Sequence, residues 1–315
     1  MHVSTKRLAS SRFAFPGASD KEIRILKRNA LIDRAFERST QAFALAVLLL
    51  LGAILVSLCV SSWDTLSAHA VDFLTGDRWA ANMEMFGALP AIYGTLVTSL
   101  IAVAIAVPVS FGIAIFLTEK CPEILRRPLG ITVELLAGIP SIIYGMWGVE
   151  MLAPFLNHIF PDLFPAGSGL ATAGLVLAIM IIPFITAISR DVMLTVPPIT
   201  RESAYGLGCT TWEVVRGVIF PTVRHGMMGG VVLGLGRALG ETMAVTFVIG
   251  NNLFFHPTIT GQGTSIAALI ANQFPEADGA QRSALLALGL VLFLITFAVL
   301  ATARYMLNRI ERRAA

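Results

Sequence analysis

The chain has 315 residues, of which 56% are apolar and 14% charged, and its mean hydropathy is +0.76. Those values lie far from soluble-protein averages and leave no room for an attached soluble catalytic domain. The net charge of +3 would suggest a weakly basic protein, but the basic residues are sorted along the chain in a way that nucleic-acid binding does not explain.

Six apolar stretches are long enough to cross about 30 Å of hydrocarbon. They lie near Gln41–Ser61, Ile92–Leu117, Leu129–Val149, Leu170–Ile188, Met227–Gly250 and Ser283–Thr302. With six spans, 20 of the 23 Lys and Arg residues fall on one side: before span one and after spans two, four and six. The other side carries Arg78 and Arg282 against Asp64, Asp72, Asp77, Glu84, Asp162, Glu276 and Asp278. The positive-inside rule then places both termini in the cytoplasm. The predicted fold is an all-α bundle of six transmembrane helices. It divides into a cytoplasmic arm (1–40), a first span (41–62), an external loop (63–91), a membrane core (92–307) and a cytoplasmic tail (308–315).

The arm has a Ser-rich start and a helical run from Lys21 to Arg38, without the small-residue cleavage site of a secretory signal. Span one, with only Ser57 and Cys59 as polar features, reads as peripheral. The acidic loop after it holds a short amphipathic piece at Leu66–Leu74. Span two is rich in Gly, Ala, Ser and Thr, which lets membrane helices approach closely. Pro108 should kink it, with Thr98 or nearby waters satisfying the freed carbonyl. In span three, Glu134 precedes A-G-I-P-S-I-I-Y-G, where Gly138 and Pro140 break the helix near mid-membrane. Discontinuous helices at that depth border a pathway or mark a packing kink.

After span four comes a polar interruption, Pro197–Pro221, that reads as two short helices joined by a bend. Pro197 and Pro198 suit a helix entry, Gly206 and Gly208 its left-handed exit. Thr210 and Glu213 have capping-box spacing for the second helix, which Pro221 should stop. Glu202, Ser203, Ala204, Gly208 and Val218-Ile219-Phe220-Pro221 resemble the EAA loop of ABC-importer permeases. Ser203, Val218 and Phe220 depart conservatively from that pattern. The resemblance implies that this elbow docks into a separate ATPase subunit through Arg201, Glu202, Ser203, Ala204 and Gly208.

Span five contains G-L-G-R-A-L-G-E-T-M-A-V, with Arg237 and Glu241 four residues apart, hence on one face of a continuous helix. Charges at the bilayer centre cost about 2.5–3.5 kcal/mol each on insertion scales and face protein or water. A guanidinium suits an oxyanion, and Glu241 would temper its affinity; a structural ion pair locking two helices is the alternative. The stretch Ser265–Phe274 is too short to cross and reads as an interfacial or re-entrant helix. No ionisable residue interrupts span six before Arg304. Cys59, Cys121 and Cys209 and the five histidines are scattered, so neither a disulfide framework nor a metal site is expected. No cofactor is expected.

Beyond the elbow, Y-G-T-L-V-T-S-L-I-A, P-V-S-F-G-I-A, E-L-L-A-G-I-P-S-I-I-Y-G and G-R-A-L-G-E-T-M-A-V resemble the PstC-type permease family of bacterial phosphate ABC importers. The resemblance implies a type I (MetI-like) importer bundle in the inner membrane. Its implied partners are a second homologous permease, a cytoplasmic ATP-binding subunit dimer and a periplasmic phosphate-binding protein. It also implies that Arg237 and Glu241 serve transport, and we place Glu134, Ser141 and Tyr144 with them along the substrate pathway. No G-x-x-x-x-G-K-[ST] occurs, so ATP hydrolysis belongs to a partner. The alternatives are a permease for another oxyanion and a proton-coupled secondary transporter using Arg237 and Glu241. An intramembrane hydrolase lacks a nucleophile–base or metal constellation.

Overall fold

A computed structural model describes residues 20–314; residues 1–19 of the predicted arm lie outside the described residues. The chain divides into two units at Ser57 and Leu58. The first consists of helix α1 (Asp20–Ser61) up to Ser57, so the helical run read from Lys21 to Arg38 and the first span form one helix. Phe36, Phe43 and Val47 are exposed on it, as expected where the surroundings are lipid rather than water.

The second unit follows the chain order α2 (Trp63–Thr75), a hairpin of β1 (Trp79–Ala80) and β2 (Met85–Phe86), α3 (Leu89–Ile115), α4 (Glu123–Ala137), α5 (Ser141–Trp147) and α6 (Ala153–Ile159). Then come α7 (Leu170–Leu194), α8 (Pro198–Gly206), α9 (Thr211–Val214), α10 (Phe220–Leu239), α11 (Met243–Val248), α12 (Ile266–Gln273) and α13 (Gly279–Ala314). Among the described residues five helices are long and apolar enough to cross a membrane, and a sixth span arises if the bent pair 123–137 and 141–159 counts as one.

The bundle is organised on α7, the most enclosed of these spans. Its main neighbour α3 turns a stripe of small residues toward the interior, with Ala91, Thr95, Thr98, Ala102, Ala106 and Ser110 all buried. Such residues bring backbones close enough for dispersion and interhelical hydrogen bonds to replace the missing hydrophobic drive of lipid. Ser110 donates to the Ile182 carbonyl at 3.1 Å, tying α3 to α7 beside Pro108 and Pro183. Thr98 bonds the Gly94 carbonyl one turn before it, so it does not serve the carbonyl freed by Pro108, which lies further along the helix.

At one end, Phe73 and Trp79 pack with Ile266, Leu269, Leu285 and Leu288. The predicted amphipathic piece is α2, and Ser265–Phe274 is α12, whose first turn is capped by the Ser265 side chain accepting from Ala268 N–H. Ile266 N–H donates to Thr95 Oγ1 at 2.9 Å, so α12 is inserted among its neighbours and its residues Ile266–Leu269 are buried. At the other end a second cluster, including Ala114, Met193, Val196, Ala204, Ile219 and Met227, joins α3, α7 and the elbow to α10.

Two expectations about continuity are corrected. Pro221 does not stop a helix: α9 runs through a π-turn (Val215–Ile219) into α10, with Pro221 in its first turn. The wider i→i+5 hydrogen bonds of a π-turn relieve the proline of the donor and the clash that would break an α-turn. Span five, read as ending at Gly250, instead ends at Leu239, and a three-residue break precedes α11. The break read at Gly138 and Pro140 is present, and it is sharp: the two halves of span three meet at 88°.

Candidate functional site

Arg237 lies in the last turn of α10, and Glu241 stands in the break just before α11. Because the helix ends between them, the four-residue spacing does not place them on one face of a continuous helix. Among the described residues no carboxylate lies within ion-pair distance of the Arg237 guanidinium. The guanidinium stacks 4.0 Å from the Phe184 ring centroid, and its Nε is buried with no hydrogen-bond acceptor. Glu241 Oε1 accepts weakly from Ala244 N–H at 3.4 Å.

Helix ends explain why two half-buried charges can stand apart. A cation in the last turn and an anion before the first turn each gain about 0.3–1 kcal/mol from the exposed peptide dipoles, rising to about 2 kcal/mol when partly buried. The aromatic face adds about 0.5–2 kcal/mol for the cation. Together these offset much of the insertion cost without consuming the donors of the planar guanidinium, which can then meet an oxyanion.

The break in span three comes to the same place. Tyr144 donates to the Leu136 carbonyl at 2.9 Å, closing the Gly138–Pro140 corner from the far side, and lies within electrostatic reach of Arg237. α5 packs on α11 so closely that a Cβ at Gly145 would stand 2.9 Å from Ala244 Cα. Ser141 opens α5 and is half-buried. Two interrupted helices thus meet beside Arg237, and interrupted backbone at membrane depth is tolerated where it lines a protein-enclosed path.

Glu134 is engaged elsewhere. Arg190, near the end of α7, reaches its Oε1 at 2.6 Å and Asp191 at 2.9 Å. This is the partner that sequence spacing did not reveal.

The elbow is α8 and α9. Thr210 accepts from Glu213 N–H while the Glu213 carboxylate accepts from Thr210 N–H at 2.7 Å, a complete capping box. Gly208 has φ +85° with open space around it, so its backbone rather than crowding demands glycine. Glu202 and Ser203 are exposed, whereas Ala204 is buried against α3, α7 and α10. Arg201 turns inward, its Nη1 3.1 Å from Glu119 Oε1 in the π-turn that ends span two (Phe116–Lys120). Sequence reading did not single out Leu207 and Trp212, which stand 85% and 66% exposed on the elbow. An apolar tip on an otherwise polar segment was the available signal.

A cavity of about 620 Å³ lies at the opposite end, lined by Asp64, Asp72, Asp77, Glu84 and Arg78 with Phe86. Its acidic wall is unsuited to an anion. Cys59, Cys121 and Cys209 are free thiols. Among the described residues no group of His, Cys, Asp or Glu is placed to hold a metal.

Comparison with known proteins bears on this arrangement. Residues 110–312 match the family of binding-protein-dependent transport system inner membrane components. The chain is 54% identical, over 95% of its length and 97% of the relative's, to a phosphate transport system permease protein PstC of Mesorhizobium japonicum. It is 53% identical to the PstC of Pasteurella multocida over 90% of this chain and 94% of that one. In fold it resembles a chain in the crystal structure of a bacterial alginate ABC transporter in complex with an alginate pentasaccharide-bound periplasmic protein. There the TM-score is 0.64 at 18% identity, covering 91% of this chain and 97% of that chain.

Proposed function

The chain belongs to the family of binding-protein-dependent transport system inner membrane components, and from that premise we propose that it is the phosphate-conducting permease subunit of an ATP-driven importer. The observation that carries the reading is Arg237: a guanidinium beside two helix breaks, stacked on Phe184 and, among the described residues, without a carboxylate partner. An anion crossing the bundle meets a planar cation there whose donors are not already occupied. The names of the close relatives support inorganic phosphate as that anion.

ATP hydrolysis falls to a separate subunit, which the elbow grips. Exposed Leu207 and Trp212 and the capped α9 supply a rigid apolar tip for a groove on that partner. The distribution of Lys and Arg supports a cytoplasmic elbow and cytoplasmic termini. A second homologous permease completes the pathway, and exposed Ile142, Ile143, Met146 and Phe155 offer it an apolar face. A soluble phosphate-binding protein delivers substrate at the external end. Closure of the ATPase dimer moves the elbow, the core rocks, and the path past Arg237 opens alternately to each side. Glu241, fixed at the start of α11, limits how tightly an anion is held and so favours release.

The test is reconstitution of the complete importer in liposomes with phosphate, sulfate and arsenate offered separately and each subunit omitted in turn. Phosphate-dependent uptake that needs every subunit is the expected outcome. Uptake by this chain alone would instead favour a proton-coupled carrier using Arg237 and Glu241.

A further inference from the structure

We infer that Glu119 is a positioning residue for transport: through Arg201 it ties the elbow helix α8 to the end of span two, so that movement imposed on the elbow reaches the bundle. The inference rests on the elbow-coupling reading above and assigns the internal linkage that the reading requires.

The inner and outer faces of α8 are distinct. Arg201, Ala204 and Tyr205 follow i, i+3, i+4 spacing, and each touches something beyond α8. Glu202 is exposed, and the exposed Ser203 hydroxyl bonds the Ile199 carbonyl of its own helix. A pull arriving on the outer face therefore passes into the bundle through the inner three. Ala204 offers van der Waals contact alone, which slides readily. Arg201 offers a fixed charge.

Its partner is enclosed. The Glu119 side chain is 4% exposed and that of Arg201 16%. Their 3.1 Å separation is a charge contact rather than a linear hydrogen bond. Tyr205 donates to the second carboxylate oxygen, Oε2, at 3.4 Å. Arg201 Nη2 also donates to the Met193 carbonyl at the end of α7. One guanidinium thus joins the elbow, span two and span four. In a site this enclosed, removing one partner leaves the other charge uncompensated, so the contact is not exchanged freely with water. Glu119 also lies in a π-turn, a local widening of the helix that is frequent at functional sites. By contrast, the Arg190 network joins α4 and α7 without touching the elbow.

The experiment compares unsubstituted, E119Q and E119D importers, each assembled with all partners in liposomes, and reads phosphate transported per ATP hydrolysed. For E119Q we expect assembly and ATP hydrolysis to persist while the transported ratio falls about tenfold, the scale of one network residue's effect on coupling. E119D, which keeps the charge on a stem too short to hold the same contact, should fall about two- to threefold. An E119Q complex that assembles with an unchanged ratio overturns the inference. Should E119Q fail to assemble, E119D decides: a lowered ratio supports the tie and an unchanged one overturns it. Failure of the underlying reading looks different, because unsubstituted complexes lacking the ATPase would then still accumulate phosphate.

Discussion

Two arginines in this bundle meet opposite fates. Arg201, at the elbow, is held by Glu119 and a backbone carbonyl and is largely enclosed. Arg237, at the break after α10, stacks on an aromatic ring and has no carboxylate partner among the described residues. Both charges are stabilised, but by different means. The first is fixed by opposite charge and a backbone carbonyl, which makes a rigid joint. The second is stabilised by a helix end and a π-face, neither of which occupies the guanidinium's hydrogen-bond fork. On the function proposed above, the contrast separates force transmission from substrate contact within one chain.

The contrast is broken most severely at Arg237. Replacing it by Gln should cut phosphate uptake by about 100-fold, the loss typical of removing one aimed donor from a water-poor site, while the complex still assembles and binds its ATPase. Arg237→Lys should keep part of the activity, since charge survives but the planar fork does not. Radiolabelled phosphate uptake at matched complex concentration reads both.

The docking side is sharpened next. Leu207→Asp places a charge on the most exposed apolar residue of the elbow. If Leu207 anchors the ATPase, co-purification should drop by about tenfold or more, the effect of losing an interface hot spot, with the membrane fold unchanged by circular dichroism. Retention of the ATPase would move the docking surface off the elbow tip.

Gly208→Val should act more weakly on the same readout. A side chain in the left-handed region costs about 1–2 kcal/mol, which tilts the elbow without removing its contacts. Gly208→Asn, which tolerates that region, should restore binding. Thr210→Ala removes the capping box at a cost of about 1 kcal/mol, seen as faster proteolysis between α8 and α9. The smallest effect belongs to Glu134→Gln. Its side chain is half exposed, so loss of the Arg190 pair should lower stability by at most about 1 kcal/mol. A larger loss of uptake than of thermal stability would put Glu134 on the substrate path.

Much of this architecture was legible in local patterns. The corner at Gly138 and Pro140, the capping box at Thr210–Glu213, the left-handed Gly208 and the short helix after Ser265 each follow from a few adjacent residues. What escaped was either non-local or depended on a rare turn. Arg201 and Glu119 are far apart in sequence and share no period, and Arg190 finds Glu134 across a gap of 56 residues. Pro221 has every mark of a helix stop, yet the π-turn before it absorbs the proline. The termination at Leu239 was hidden because Gly240 alone seldom ends an apolar helix, and the four-residue spacing of Arg237 and Glu241 argued for continuity. The positions of both charges at mid-chain of an apolar run were plain; the break that keeps them apart was not.

The most direct measurement is phosphate uptake and ATP hydrolysis recorded together for the Arg237→Gln complex in sealed liposomes. A free guanidinium serving the anion predicts that uptake falls to background while the ATPase remains bound and active. Uptake at the unsubstituted rate would contradict that role and return Arg237 to the frame of the bundle.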